Sequence, residues 1–142
     1  MKNKIGLLIA ILLLGYGLIR IGVGGALLAQ TFEIVNFSDL SEAILEVNQF
    51  INTRASEQII PFTLPGYLIY ILVMGILLST GAIGTIARKR WGFILLWIYL
   101  SGHAALFINF QEINPKLIGL ALQIILLIVL TYLRPPKPLT IN

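Results

Sequence analysis

Four long runs of apolar residues alternate with short polar segments along this chain. The runs cover residues 5–29, 64–86, 91–110 and 115–133. A helix needs about 20 mainly apolar residues to cross the hydrocarbon core of a bilayer, and each run comes close to or exceeds that length. We therefore predict an all-α integral membrane protein, a four-transmembrane-helix bundle that forms a single domain over residues 1–142.

The first run raises the question of a cleaved signal peptide, because Lys2 and Lys4 precede its apolar residues. Two features favour a helix that is retained. The run is longer than the apolar core of a typical signal peptide, and Arg20 lies within it. We therefore expect the first span to stay attached to the mature protein.

The polar segment between the first two runs has a helical period of its own. Its apolar residues recur at the spacing of one helical face, while Glu42 and Glu46 fall on the other face. This pattern predicts an amphipathic helix over about 39–53. Ser38 or Asp39 can cap its start, and Asp39 with Glu42 resembles a capping box.

The apolar face of that helix has two possible uses. It either lies across the ends of the chain's own membrane helices or forms a docking face toward another protein. The residues of this candidate docking face are Leu40, Ile44, Val47, Phe50 and Ile51.

The cations of the sequence define an orientation. The turn Arg88-Lys89-Arg90 separates two apolar runs, and short loops rich in Lys and Arg stay in the cytoplasm. All six acids fall in the segments on the opposite side. We predict both termini in the cytoplasm, the amphipathic helix outside it, and a bacterial inner membrane as the location. The cations set orientation alone or also contact anionic lipids, and the candidates for such contacts are Arg88, Lys89, Arg90, Arg134 and Lys137.

Composition narrows the class further. The chain is 58% hydrophobic and 11% charged, with a mean hydropathy of +0.94, so it lacks the polar residues that cover a soluble domain. Its formal charge of +4 resides on cations that flank apolar runs, which argues against nucleic acid as a partner. With no cysteine, the chain forms no disulfide and offers no thiolate.

Small residues recur at spacings that let two membrane helices approach closely. In the first run, Gly15 and Gly22 are seven apart, and so are Gly17 and Gly24. The second run holds small residues four apart: Gly75 with Ser79, Thr80 with Gly84, and Gly81 with Thr85. We expect these faces to be packing seams between helices.

Polar residues at membrane depth are the candidates for chemistry, since a charge there is expensive. This energetic cost applies most directly to Arg20, because its side chain is charged. It either snorkels toward lipid phosphate, Glu33 or Glu112, pairs with an acid of a partner, or contacts a solute. The candidate intramembrane polar site comprises Tyr16, Arg20, Tyr99, Ser101, His103 and Gln123. The alternative is ordinary hydrogen bonding between helices.

His103 is the single histidine, so a bis-histidine haem site would require a second chain. We expect His103 to form a hydrogen bond within the bundle or contact a partner, and we expect no cofactor and no metal. The sequence contains no phosphate-binding glycine loop, no two-histidine zinc helix and no nucleophile elbow. We therefore predict a non-catalytic protein.

Two functional classes fit this pattern. An accessory or assembly subunit needs packing faces, a fixed topology and a docking element, and the sequence supplies all three. Its partners would be membrane lipids and other membrane subunits or further copies of itself. The alternative is a small oligomeric transporter or channel for an ion, lipid or small solute, although four short spans without a repeat are little for one chain.

Overall fold

The structure is a computed structural model that describes residues 1 to 138, and these residues form only helices and connections. Three helices are long and apolar enough to cross a membrane, namely α1, α3 and α4. The prediction of an all-α membrane protein is confirmed at this level. The helices are α1 (Lys2–Thr31), α2 (Ser38–Thr53), α3 (Leu64–Ile86), α4 (Arg90–Asn109) and α5 (Leu117–Leu133).

The last helix is shorter than the apolar run that predicted it. Instead of starting at Pro115, α5 starts at Leu117 and has 17 residues, about 25 Å at about 1.5 Å per residue. A tight turn precedes it, in which the Asn114 side chain accepts a hydrogen bond from the Lys116 amide at 2.9 Å. With 17 residues, α5 is shorter than the three helices that are long enough to cross a membrane.

The four apolar helices pack in a ring in which α1 contacts α3 and α5, and α4 contacts the same two helices. This arrangement places one apolar core between them. Ala10 of α1 and Leu130 of α5 are fully buried there. The rest of the core comes from α3, α4 and α5: Met74, Leu78, Phe93, Leu96, Tyr99, Leu100 and Leu127.

The seam between α1 and α3 depends on one of the two predicted glycine series. A Cβ on Gly17 would lie 2.9 Å from the Ser79 backbone nitrogen, and a Cβ on Gly24 would lie 3.3 Å from that of Leu72. Gly15 and Gly22 instead face open space. The seven-residue spacing thus predicted close packing on one face of α1, while the second series lies on the outer surface of the bundle.

The seam between α3 and α4 is closer still. A Cβ on Gly92 would lie 2.4 Å from the Gly84 carbonyl carbon and 2.5 Å from the Thr85 nitrogen. These neighbours are backbone atoms, which cannot move aside as the end of a side chain can. The two helix backbones therefore meet at Gly84 and Gly92, beside the basic turn.

The basic turn is compact because α3 ends in a left-handed residue. Arg88 has a φ of 57°, and the Lys89 amide donates a hydrogen bond back to the Gly84 carbonyl at 2.8 Å. Glu33 and Gln111 close α1 and α4 in the same way, with φ of 58° and 49°. Glycine is the usual residue at this position, so three helix ends accept the strain of a side chain there.

The predicted amphipathic helix is present as α2, and it packs against α1 and α3. The predicted capping box is wrong. The helix begins at Ser38 with Phe37 as its N-cap and has no side-chain cap. The α1 residue Gln30 explains the difference, because its side-chain oxygen accepts the Phe37 amide hydrogen bond at 2.9 Å and its amide group donates to Ser41 at 2.9 Å.

Candidate functional site

The bundle has two ends of different composition. The basic end holds the start of α1, the turn 87–89 and the end of α5, and the α2 end holds the opposite termini of the same helices. In the half toward the α2 end, the Arg20 guanidinium donates a hydrogen bond to the Tyr99 hydroxyl at 3.3 Å. It also lies over the rings of Tyr16 and Tyr99, at 5.4 and 5.8 Å from their centroids. Three of the predicted site residues thus form one cation-aromatic group.

A second polar pair lies next to this group. His103 Nδ1 and Gln123 Oε1 are 2.9 Å apart, so α4 and α5 share a hydrogen bond at this depth. The His103 ring stacks on Phe107 at 5.5 Å and lies 5.9 Å from the Tyr99 ring. Ser101 is not joined to either group, because its hydroxyl donates to the Trp97 carbonyl within its own helix at 2.9 Å and its side chain faces outward.

A cavity of about 160 Å³ extends from Arg20 and His103 toward the α2 end. We call it the Arg20 cavity. Its charged lining is completed by Glu112 and Lys116, which come from the connection between α4 and α5. The remaining lining is aromatic or apolar: Phe50, Tyr67, Leu106, Phe107 and Phe110.

Sequence reasoning named Glu112 as a possible partner for Arg20 but did not place Lys116 in this site, and one signal could have found Lys116. Glu112 is the single acid and Lys116 the single cation in the connection between the third and fourth apolar runs. Charged residues in so short a connection lie close to the helix ends. Their approach to Arg20 follows from the shortness of α5, which the sequence did not predict.

The Glu112 carboxylate, which lines the cavity, is already paired with a residue outside the cavity lining. Glu112 is 9% exposed and pairs with Arg54 at 3.5 Å. Arg54 also pairs with Glu57 at 3.0 Å. Within residues 1–138, neither Arg20 nor Lys116 forms an ion pair. Glu33, the other predicted partner for Arg20, forms none with it either.

An aromatic cluster covers the cavity at the α2 end. Phe50 of α2 lies 5.2 Å from the Phe110 ring and 6.3 Å from the Tyr67 ring. Phe62 stacks on Phe110 at 6.0 Å, and the neighbouring Ile51 is 4% exposed. Two of the five candidate docking residues on α2 therefore pack on the chain's own helices. Leu40, Ile44 and Val47 are half-buried on the same face.

The basic end contains a second polar centre, built around Arg134. This side chain is 8% exposed and donates to the Thr85 carbonyl at 3.1 Å, to the Ile86 carbonyl and to the Asn3 side-chain oxygen at 2.7 Å. These acceptors lie at the end of α3 and the start of α1. One guanidinium thus joins the termini of three helices.

The other candidate lipid contacts have freer side chains. Arg88 donates from Nε to the Pro135 carbonyl at 3.0 Å, and the Lys137 amide donates to the Arg88 carbonyl at 3.0 Å. Lys89, Arg90 and Lys137 are exposed. For these residues lipid contact stays a prediction, whereas the Arg134 guanidinium is turned inward onto protein acceptors.

Neither a metal centre nor a relative supplies a function for this arrangement. Among residues 1–138, no group of three or more His, Asp or Glu side chains is placed to hold a metal ion. No protein family, curated protein or solved structure matches the chain.

Proposed function

We propose that the chain crosses a bacterial inner membrane four times, with both termini and the basic turn in the cytoplasm. Two features support the fourth span despite the length of α5. The contact between Arg134 and Asn3 aligns the end of α5 with the start of α1. Counting about 1.5 Å per residue from that contact places Lys116 at about 27 Å, close to the roughly 30 Å of a hydrocarbon core.

The chain lends itself to a topology test because it has no cysteine of its own. Single cysteines at Ser38 and Asn114 are expected to react with an impermeant maleimide added outside intact cells. A cysteine at Pro138 is expected to react only after the cytoplasmic side is opened. Labelling at position 38 from the cytoplasmic side alone would show that the orientation is opposite to the proposed one. Equal labelling at positions 114 and 138 from one side would show that α5 does not cross the membrane.

We propose that this four-span protein is a non-catalytic accessory or assembly subunit that packs against other membrane subunits or against copies of itself. The supporting observation is that the basic half of the bundle is filled. Ala10, Thr85 and Leu130 are fully buried there, and Arg134 joins the helix ends. A filled half supports a packing role over conduction through a single chain.

One observation favours the alternative of a small oligomeric transporter or channel. The Arg20 cavity is a polar space at membrane depth, and such spaces line solute pathways in transport proteins. The cavity lies in one half of the bundle. A pathway would therefore have to form between chains or by rearrangement of the basic end.

Gentle solubilisation followed by native mass measurement separates the two roles. An accessory subunit is expected to elute in a stoichiometric complex with other membrane proteins or in a defined homo-oligomer, and to leave liposomes impermeable. A purified oligomer that carries solute flux in liposomes would contradict the accessory role and support transport. An isolated monomer without flux would contradict both.

A further inference from the structure

The Arg20 cavity contains two cations that form no ion pair within residues 1–138. Arg20 is partly buried and has five N–H donors. Within the described residues, one of these donors, on Nη1, forms a hydrogen bond, and its acceptor is the Tyr99 hydroxyl. The Lys116 ammonium lies 5.7 Å from the Phe50 ring centroid and is likewise free of an ion pair in residues 1–138. Glu112 is the acid in the lining, and Arg54 already shares it.

The two cations lie at the same level along the bundle. Counting about 1.5 Å per residue from the Arg134–Asn3 contact places Arg20 at about 26 Å and Lys116 at about 27 Å. They come from two neighbouring helices of the ring, one from α1 and one from the start of α5. A group bound between them would be reached by both.

The surroundings favour an anion over a neutral guest. A cation inside the hydrocarbon region carries an energetic cost unless a polar or anionic partner accompanies it. An anion between Arg20 and Lys116 would offset that cost, and the lining carries an excess of positive charge to attract it. The walls around the cations are aromatic, with Phe50, Tyr67 and Phe107 on different elements. These aromatic walls are suited to contact the apolar part of the molecule that carries the anion.

We propose that the Arg20 cavity binds the phosphate group of a phosphate ester that carries a net negative charge. Arg20 supplies a planar fork of donors that matches two phosphate oxygens, and Lys116 supplies a point charge. Phosphate is the anion that membrane lipids present at the edge of the hydrocarbon core, where Lys116 lies. The same chemistry is offered by a lipid headgroup and by a free phosphate ester. This inference does not depend on the accessory role.

The test uses the full chain purified in a neutral detergent. Native mass spectrometry counts bound phosphatidylglycerol, with phosphatidylcholine as the zwitterionic lipid. Thermal unfolding with added glycerol phosphate or inorganic phosphate tests the free source. One tightly held phosphatidylglycerol per chain without stabilisation by the free anions identifies a lipid headgroup, and stabilisation by the free anions as well identifies a soluble phosphate ester. Both results support the proposal.

Three variants connect binding to the cavity. Arg20→Gln and Lys116→Gln are each expected to weaken phosphatidylglycerol binding about tenfold or more, since each removes a charged hydrogen-bond donor. Lys4→Gln is the matched control for Lys116→Gln, because Lys4 is an exposed lysine at the basic end and is not among the candidate lipid contacts. Its binding is expected to equal that of the wild type.

The Lys116→Gln variant keeps the test informative if Arg20→Gln fails to fold. Lys116 is exposed and precedes α5, whereas Arg20 also contacts Tyr99. Equal binding of both lipids by the wild type, together with no effect of either free anion, would overturn the proposal. So would a folded Lys116→Gln variant that holds phosphatidylglycerol as tightly as the wild type, or a Lys4→Gln variant that loses as much binding as Lys116→Gln.

Discussion

Replacing Gly92 with alanine is expected to lower the free energy of unfolding by about 2 to 3 kcal/mol, at the upper end of the range for overpacked cores. The added methyl group would lie 2.4 Å from the Gly84 carbonyl carbon. Backbone atoms on both sides leave no side chain to rotate away, so α3 and α4 must separate. Because the helices meet next to the basic turn, separation there also disturbs the Thr85 and Ile86 carbonyls that Arg134 binds.

Gly15 and Gly119 provide matched controls, since a Cβ at either position meets nothing within 4 Å. Alanine there is expected to be neutral or to stabilise its helix by about 0.5 to 1 kcal/mol, because it restricts the unfolded chain. Reversible unfolding in mixed micelles, followed by circular dichroism, measures all three variants. If Gly92→Ala is as stable as Gly15→Ala, the helices do not meet as closely as described.

These controls also show where sequence reasoning reached its limit in the fold. Spacing predicted glycine seams, and the bounds of α3 were predicted to the residue. Spacing could not decide which series on α1 faces α3, because Gly15 with Gly22 and Gly17 with Gly24 have the same separation. Both faces of α1 are apolar. A membrane helix has no polar side to mark the exterior, and the choice depends on the Ser79 surface that Gly17 meets.

The sequence predicted only part of the candidate site, and the reason is similar. The positions of Arg20, Tyr99 and His103 within their apolar runs predicted that they lie at membrane depth, and depth is a property of each helix alone. The contributions of Glu112 and Lys116 depend on where α5 starts and on how α1 and α5 align. Those are relations between helices. Periodicity within one segment does not contain them.

Arg134 shows the same limit at the basic end. Its charge and its position after an apolar run predicted a lipid contact, as for its neighbours in the sequence. Its burial follows instead from the close approach of Gly6, where a Cβ would lie 2.8 Å from the Arg134 Cβ. A glycine in α1 thus lets the end of α5 approach α1, and from there the Arg134 side chain reaches the α3 carbonyls. No spacing in the sequence relates Gly6 to Arg134, so their contact was not predicted.

Replacing Arg134 with methionine is expected to lower the free energy of unfolding by about 2 to 4 kcal/mol. Methionine matches the apolar stem of the side chain but lacks the guanidinium, whose charged hydrogen bonds are each worth about 1.5 to 3 kcal/mol. The Asn3 side-chain oxygen and the Ile86 carbonyl then lose the guanidinium, while the Thr85 carbonyl retains its hydrogen bond from the Arg88 amide at 3.0 Å. Burial within the bundle limits the water that could replace the guanidinium.

Two comparisons isolate the geometry of this contact. Arg134→Lys retains the charge, yet a single ammonium cannot reach acceptors on α1 and α3 in the planar arrangement of a guanidinium, so its loss is expected to fall between zero and that of Arg134→Met. Lys137→Met removes an exposed cation three residues later and is expected to change stability by less than about 0.5 kcal/mol. Unfolding in mixed micelles ranks the variants. Equal stability of Arg134→Met and Lys137→Met would mean that the guanidinium does not hold the three helix ends together.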